Sequence, residues 1–350
     1  MRRVGKCLGR LVLALVVLVA LLLSPVVWVE VACRGEAIGN DYTSVISDPA
    51  EQRAESRTLL TYPEWHIVHA YYDYARVISD GDPHDFGYFS AIRGFWSSLC
   101  SLNRAAARHG GATRESKLTI YTIGVSFGVE MVMKALYEET LGRVATWIRG
   151  GGRTPLDDLS ATQAAEYAEF LQQIPWYKWD FRADVAALGV ATTDAFRDRE
   201  RRLALGVEYR AKAVYAGVIA SAVGQVGADK LTLRSIVTGM MPDALAALEG
   251  VTVIAERPEG VEIETPRYRV FTRIAQDLAG QGAEFVEIAG NDDIVLTTLS
   301  KIPQNDALYA FARQGYGDYR NLMLIKVAGL GPLLRGFGVG PMRLEHIHDY

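Results

Sequence analysis

Thr61-Tyr62-Pro63-Glu64-Trp65-His66-Ile67-Val68-His69-Ala70-Tyr71-Tyr72-Asp73-Tyr74-Ala75-Arg76-Val77-Ile78 reads as a helix from end to end. Thr61 offers a capping hydroxyl, Pro63 suits the first turn, and Glu64 lies near the positive end of the dipole. Asp80-Gly81-Asp82-Pro83 breaks the pattern. The spacing i, i+3, i+7 places His66, His69 and Asp73 on one face. Trp65, Val68, Tyr72 and Ala75 occupy the other, and Ile67, Tyr71, Tyr74 and Ile78 widen the apolar arc. The histidine face therefore reads first as the solvated side of an amphipathic helix.

Upstream, Leu11–Val29 carries no charge and follows Arg2, Arg3, Lys6 and Arg10. Its length is close to the ~20 residues a helix needs to cross ~30 Å of hydrocarbon. It is longer than the core of a cleaved signal peptide, so residues 1–32 read as a cytoplasmic stub and transmembrane anchor. Trp28 fits the far interface. Basic residues stay on the cytoplasmic side, which predicts an inner-membrane protein with its N-terminus inside and its body in the periplasm. There Cys33 and Cys100 are the candidate disulfide pair, the alternative being two buried thiols.

The chain has 350 residues, 49% of them hydrophobic, which is enough for a sizeable core. Its net charge of −4 argues against a basic nucleic-acid footprint over the whole chain. The expected class is α+β: a connector over 33–60, a mostly helical membrane-proximal domain over 61–245, and a small α+β domain over 246–350.

Within the helical part, a further helix is expected over 87–108. Leu118–Met133 is a second apolar run, with Glu130 inside it and Gly124-x-x-x-Gly128 allowing close helix approach. It reads as a buried or membrane-dipping helix and not a second crossing. Helices are expected over 160–174 and from about Thr193 to Gly224. Between them, Trp176, Tyr177 and Trp179 read equally as a membrane-interface belt or as an aromatic plug in a core. Gly128-Val-Glu-x-x-x-Lys-Ala-Leu-Tyr137 is echoed by Gly206-Val-Glu-x-x-x-Lys-Ala-Val-Tyr215. The pairs Glu130/Lys134 and Glu208/Lys212 are each four apart, so they read as structural ties along a helix.

The C-terminal part changes character. Strands are expected over 251–256, 284–289, 294–299 and 321–327, with helices over 266–279 and 306–313. Gly290-Asn291-Asp292-Asp293 reads as a hairpin turn. That order, β-α-β-β-α-β, predicts a ferredoxin-like sandwich with Met342–His348 as an added strand.

Two chemical readings follow. His66, His69 and Asp73, joined by His346 and His348 two apart on the last strand, have the donor set for zinc or non-haem iron, if the two groups meet. No phosphate loop, nucleophile elbow, Cys-x-x-Cys or His-Glu-x-x-His occurs, and no cofactor beyond a divalent metal is suggested.

Leu60-Thr61-Tyr62-Pro63-Glu64-Trp65 with Ile67, Phe95-Trp96-Ser97-Ser98-Leu99-Cys100 and the two Gly-Val-Glu-x-x-x-Lys-Ala segments resemble a family of bacterial inner-membrane proteins of unknown function. The resemblance spans about residues 28–225 and implies location, not activity. The expected function is a non-enzymatic role in envelope assembly or lipid-facing binding. Its partners would be membrane lipid, a membrane protein or a second copy, and not nucleic acid. The alternative is a metal-dependent membrane enzyme using the five candidate ligands. A third reading makes Leu118–Tyr137 a crossing in which Glu130 and Lys134 line a transport path.

Overall fold

The computed structural model describes residues 2–39, 41–226, 230–338 and 340–349. The helical part comprises α1 (Arg2–Ala32), α2 (Glu55–Leu59), α3 (Tyr62–Asp80), α4 (Tyr88–Ala107) and α5 (Arg114–Tyr137), then α6 (Arg143–Arg149), α7 (Pro155–Leu171), α8 (Phe181–Ala191) and α9 (Phe196–Val226). A π-helical turn, Glu138–Gly142, joins α5 to α6.

Among the described residues, two helices are long and apolar enough to cross a membrane by length and composition: Val12–Ala32, mean hydropathy 2.9, and Arg114–Arg149, mean hydropathy 1.2. They differ in packing. Most of the first is open. The second buries Ile120, Gly124, Phe127, Met131 and Ala135, a stripe at helical spacing, against the body. Gly124 is where α4 comes close: a Cβ there would lie 2.3 Å from the Phe95 ring. At Gly128 a Cβ would meet nothing within 4 Å, so only one of the two spaced glycines serves close approach.

The end of α1 is fastened to the body. Cys33 and Cys100 form a disulfide. Glu30 pairs with Lys117 at 2.9 Å and accepts from Tyr121 at 2.6 Å. Asn103 and Arg104 donate to the carbonyls of Cys33 and Ala32. Nor is the connector a free tether. Tyr42, Ser44 and the Ile46 amide all donate to the buried Glu287 carboxylate.

The β part begins at Thr232, earlier than the expected boundary at 246. Its elements are β1 (Thr232–Thr238), α10 (Pro242–Ala246), β2 (Thr252–Arg257), β3 (Gly260–Pro266), α11 (Arg269–Gly280) and β4 (Glu284–Ile288). They continue with β5 (Asp293–Ser300), β6 (Tyr309–Ala312), β7 (Tyr319–Lys326), α12 (Leu330–Gly336) and β8 (Arg343–His348). These strands form two antiparallel sheets, β2-β3-β1-β4 and β6-β7-β5-β8. The two sheets are filled in the same order: third strand beside first, second outside third, fourth outside first.

The expected single β-α-β-β-α-β string is thus corrected. β4 and β5 do not form a hairpin; they belong to different sheets. The Ala289 amide donates to the Arg234 carbonyl on β1, and the Ala289 carbonyl accepts from Arg53 of the connector, so the chain is pulled out of hairpin register. The expected helix over 306–313 is β6, because Tyr309 and Phe311 alternate toward the helices while the run is too short to declare a period.

Val295 and Leu322 belong to the core shared with the helices. Their neighbours Ile294, Leu296 and Met323 belong to a second core with α11 and α12. The second sheet is therefore covered on both faces. Thr297 and Thr298, both buried, complete a β5 with little polar alternation.

Candidate functional site

The face of α3 assigned above to solvent is buried. His66 is 3% exposed, His69 5% and Asp73 4%; on β8, His346 is 3% and His348 0% exposed. Only the end of this face, with Arg76 and Asp80, reaches water. The reason is tertiary: the second sheet lies against α3, and the seam between them is polar on both sides.

Across the seam, His69 and His348 have ring centroids 6.4 Å apart, and His346 and His348 are 4.9 Å apart. Trp65 stacks on His346 at 3.6 Å, and the Tyr62 ring meets His348 edge-on at 5.0 Å. A register shift where β5 pairs β8, at Thr297/Thr298, leaves Glu345 without a cross-strand partner. A bulge can re-aim a side chain in this way. The Glu345 carboxylate lies 3.7 Å from His69 Nε2 and is held by Arg320.

The five candidate ligands do not all meet. His66 turns its Nε2 to the Ala91 carbonyl at 2.9 Å and packs among Phe95, Phe127 and Phe311. Gly94 makes room for that ring: a Cβ there would be 2.5 Å from His66 Cε1. Asp73 accepts from the Gln314 amide at 3.0 Å and lies 3.7 Å from Arg320. His346 and His348 are neighbours and His69 lies across from them, but no three of His69, His346, His348 and Glu345 bring ligand atoms within 4.8 Å of one another. Glu345, Arg320, Tyr62 and Trp65 complete the seam. The sequence offered a hint only for Glu345, which stands beside the His-x-His pair.

Burial dominates the protonation of these groups. It lowers His66 to about 4 and His348 to about 3, with the Arg320 charge adding to both shifts. Burial also holds His69 and His346 well below the usual imidazole range. It raises Asp73 to about 6, against the pull of Arg320, the Gln314 amide and Arg313. The imidazoles are neutral at pH 7, the form that binds metals.

Several of these atoms lack a hydrogen-bond partner: His69 Nε2, His346 Nε2 and both nitrogens of His348, together with Tyr62 Oη. Buried polar groups are nearly always paired, so this concentration needs an explanation.

A tighter group of ligand-type side chains lies elsewhere. The relevant atoms of Glu55, His109 and Asp293 all lie within 4.8 Å of one another. Those groups have partners. His109 Nδ1 is 3.1 Å from Glu55, Lys326 is 2.9 Å from Asp293, and the Asp293 amide donates to Glu55.

The four echoed charges pair between helices as well as along one. Lys134 meets Glu208 at 2.9 Å and Lys212 meets Glu130 at 2.7 Å, while Lys212 also reaches Glu208 at 3.0 Å. The expected Glu130–Lys134 tie is replaced by a reciprocal exchange between α5 and α9. Among the expected interface aromatics, Trp28 is 43% exposed. Trp176 and Tyr177 are half-buried, with Trp176 against Tyr215. Trp179 is half-buried too, donating to Asp184 at 2.7 Å and packing on Tyr167 and Phe170.

The chain matches no known family model, and comparison with curated proteins and with solved structures gives no match either.

Proposed function

We propose that this chain is a membrane-anchored, non-enzymatic binding protein whose helical body seats on an anionic lipid surface. The observation that carries this is an uncovered apolar stripe on a body fastened to an apolar helix. Along α9, Leu203, Val207, Val214 and Val218 are 60–71% exposed at positions that share one face. On the neighbouring α6, Trp147 is 84% exposed beside Val144 and Ile148. Exposed Arg199, Arg202 and Arg210 flank the stripe. An apolar face edged with arginine and tryptophan suits the boundary between head groups and acyl chains.

The anchor supplies the tether, and its basic N-terminal flank supports an inner-membrane protein with that end in the cytoplasm. The disulfide supports a periplasmic body. The repeated strand order of the two sheets supports reading them as two ferredoxin-like units, the second with a loop in place of its first helix. That fold hosts many functions and leaves the assignment to the surface.

The test is photo-crosslinking in nanodiscs, with a photoreactive phenylalanine at Leu203 or Val214, and at the exposed Ile302 of the β part as control. Lipid adducts at the two helical positions and none at 302 are expected. Adducts to protein alone at 203 and 214, or equal lipid labelling at all three, would overturn the reading.

A further inference from the structure

The point where α1 meets the body is ringed by cations. Lys117 of α5 reaches the Glu30 carboxylate at 2.9 Å, Arg34 donates to the Glu30 carbonyl, and Arg104 of α4 donates to the Ala32 carbonyl at 2.9 Å. Gly35 brings Arg34 and Arg104 to the same place. A Cβ at Gly35 would lie 2.6 Å from Ala107 Cβ and 2.8 Å from the Arg104 carbonyl oxygen, so a larger residue would lift the chain off α4. Arg108 follows one turn after Arg104, and Arg114 precedes Lys117 by one turn. Arg34, Arg104, Arg108 and Arg114 are exposed and Lys117 is half-buried. The acids on the same segments are Glu30, which takes Lys117, and the exposed Glu36 and Glu115.

Capping the helix does not use these cations up. The carbonyls of Val29, Glu30, Ala32 and Cys33 already have donors, from the Cys33 amide, Arg34, Arg104 and Asn103 in turn. Arg34 gives only its Nε to this task and Arg104 only one Nη. A guanidinium carries several N–H donors in a planar fork, so each exposed arginine keeps donors for an outside acceptor. That fork matches the oxygens of a phosphate group. Depth matters as well. As a membrane span, the 21 residues of Val12–Ala32 would measure about 31 Å, the thickness of the hydrocarbon layer. The cation ring would then stand at the level of the lipid head groups, beside the 43% exposed Trp28.

We propose that this ring is a site for the phosphate of an anionic phospholipid, held by Arg34 and Arg104, with Arg108, Arg114 and Lys117 supplying further positive charge. The inference rests on the reading of α1 as a membrane anchor and adds a head-group site to it. The occupant is a lipid and not a free anion, because cations where an anchor leaves the hydrocarbon stand within a dense layer of phosphates. The site is distinct from the α9 stripe, where arginines edge an apolar face. Here the Cys33–Cys100 bridge lies one residue from Arg34 and holds the ring in shape before a lipid arrives. Less ordering is then left for binding to impose.

The experiment places the full-length chain in nanodiscs of equal phosphatidylglycerol and phosphatidylcholine. A photoreactive phenylalanine replaces Leu118, which is 70% exposed and follows Lys117, and the adducts are identified by mass. Phosphatidylglycerol should exceed phosphatidylcholine about fivefold among the adducts at 118. The ratio should fall toward parity in Arg34→Gln/Arg104→Gln and recover in Arg34→Lys/Arg104→Lys. Arg114→Gln, at an exposed position, should give an intermediate ratio and covers the case of a misfolded double variant. Parity in the wild type, or a ratio unchanged in both glutamine variants, overturns the proposal. Lipid adducts at 203 and 214 but none at 118 overturn the head-group site alone. No lipid adduct at any of the three positions overturns it together with the reading on which it rests.

Discussion

The helical layer and the seam both bury polar residues, but they treat them in opposite ways. At the foot of α9, Arg197 and Arg201 are almost completely buried. Arg201 reaches both oxygens of Glu138 at 2.8 and 3.0 Å and Glu200 at 2.7 Å. Arg197 meets Asp82 at 2.6 Å and Asp157 at 2.9 Å. Every charge there has its opposite. At the seam, buried imidazoles and the Tyr62 hydroxyl lie beside the Arg320–Glu345 pair, and several of their polar atoms have no hydrogen-bond partner. The first pattern is closed by charge pairs; the second leaves buried polar atoms unpaired.

The comparison predicts a large asymmetry. Arg201→Met leaves the buried Glu138 without its cation and Glu200 with Arg197 alone, and should cost about 3–5 kcal/mol, read by urea denaturation. His348→Leu removes two unpaired nitrogens and should shift stability by no more than about 1 kcal/mol. Equal costs for the two changes would mean that the seam is as well satisfied as the arginine network.

The pair exchange between α5 and α9 gives a pH-resolved version of the same contrast. Burial alone would raise Glu208, but the ammonium groups of Lys134 and Lys212 outweigh it and hold the carboxyl at about 2. A depressed carboxyl adds stability above its unfolded pKa and loses it as the pH falls toward its folded one. The gap between wild type and Glu208→Gln should be about 3 kcal/mol at pH 7, shrinking from about pH 4.5 down to about pH 2. A gap independent of pH would mean the cost comes from packing and not from charge.

How much was legible in the sequence follows from the same physics. The long helices α3, α4, α5, α7 and α9 were readable because caps, breakers and apolar stripes are local, whereas the shorter α2, α6 and α8 were not expected. The reading of Leu118–Met133 as a buried or membrane-dipping helix followed from Glu130 and its short length; α5 buries one stripe, and with its continuation it is also long and apolar enough to cross a membrane. The His66/His69/Asp73 face was legible as a face, but its burial was not. Amphipathicity marks the polar side of a helix without saying that another polar surface will cover it. β1 and β3 were missed because each is completed by a partner distant in sequence. The β4–β5 turn had hairpin chemistry, yet the docked connector at Ala289 decided its course. The partners of Arg197 and Arg201 were invisible because an arginine-rich helical stretch looks the same solvated or buried.

The smallest effect tests a sequence motif directly. Gly124-x-x-x-Gly128 reads as a paired device for close helix approach, but the structure uses only its first member. At Gly124→Ala the new methyl would meet the ring of the fully buried Phe95, which has no room to retreat, so the change should cost about 1–3 kcal/mol. At Gly128→Ala nothing lies within 4 Å, and the higher helix propensity of alanine should add up to about 1 kcal/mol. The two substitutions, one turn apart on the same helix, should therefore move thermal stability in opposite directions. If both destabilise, a surface covers Gly128 in solution. The stripe on α9 would then gain a neighbour on α5, and the surface proposed to meet lipid would extend across both helices.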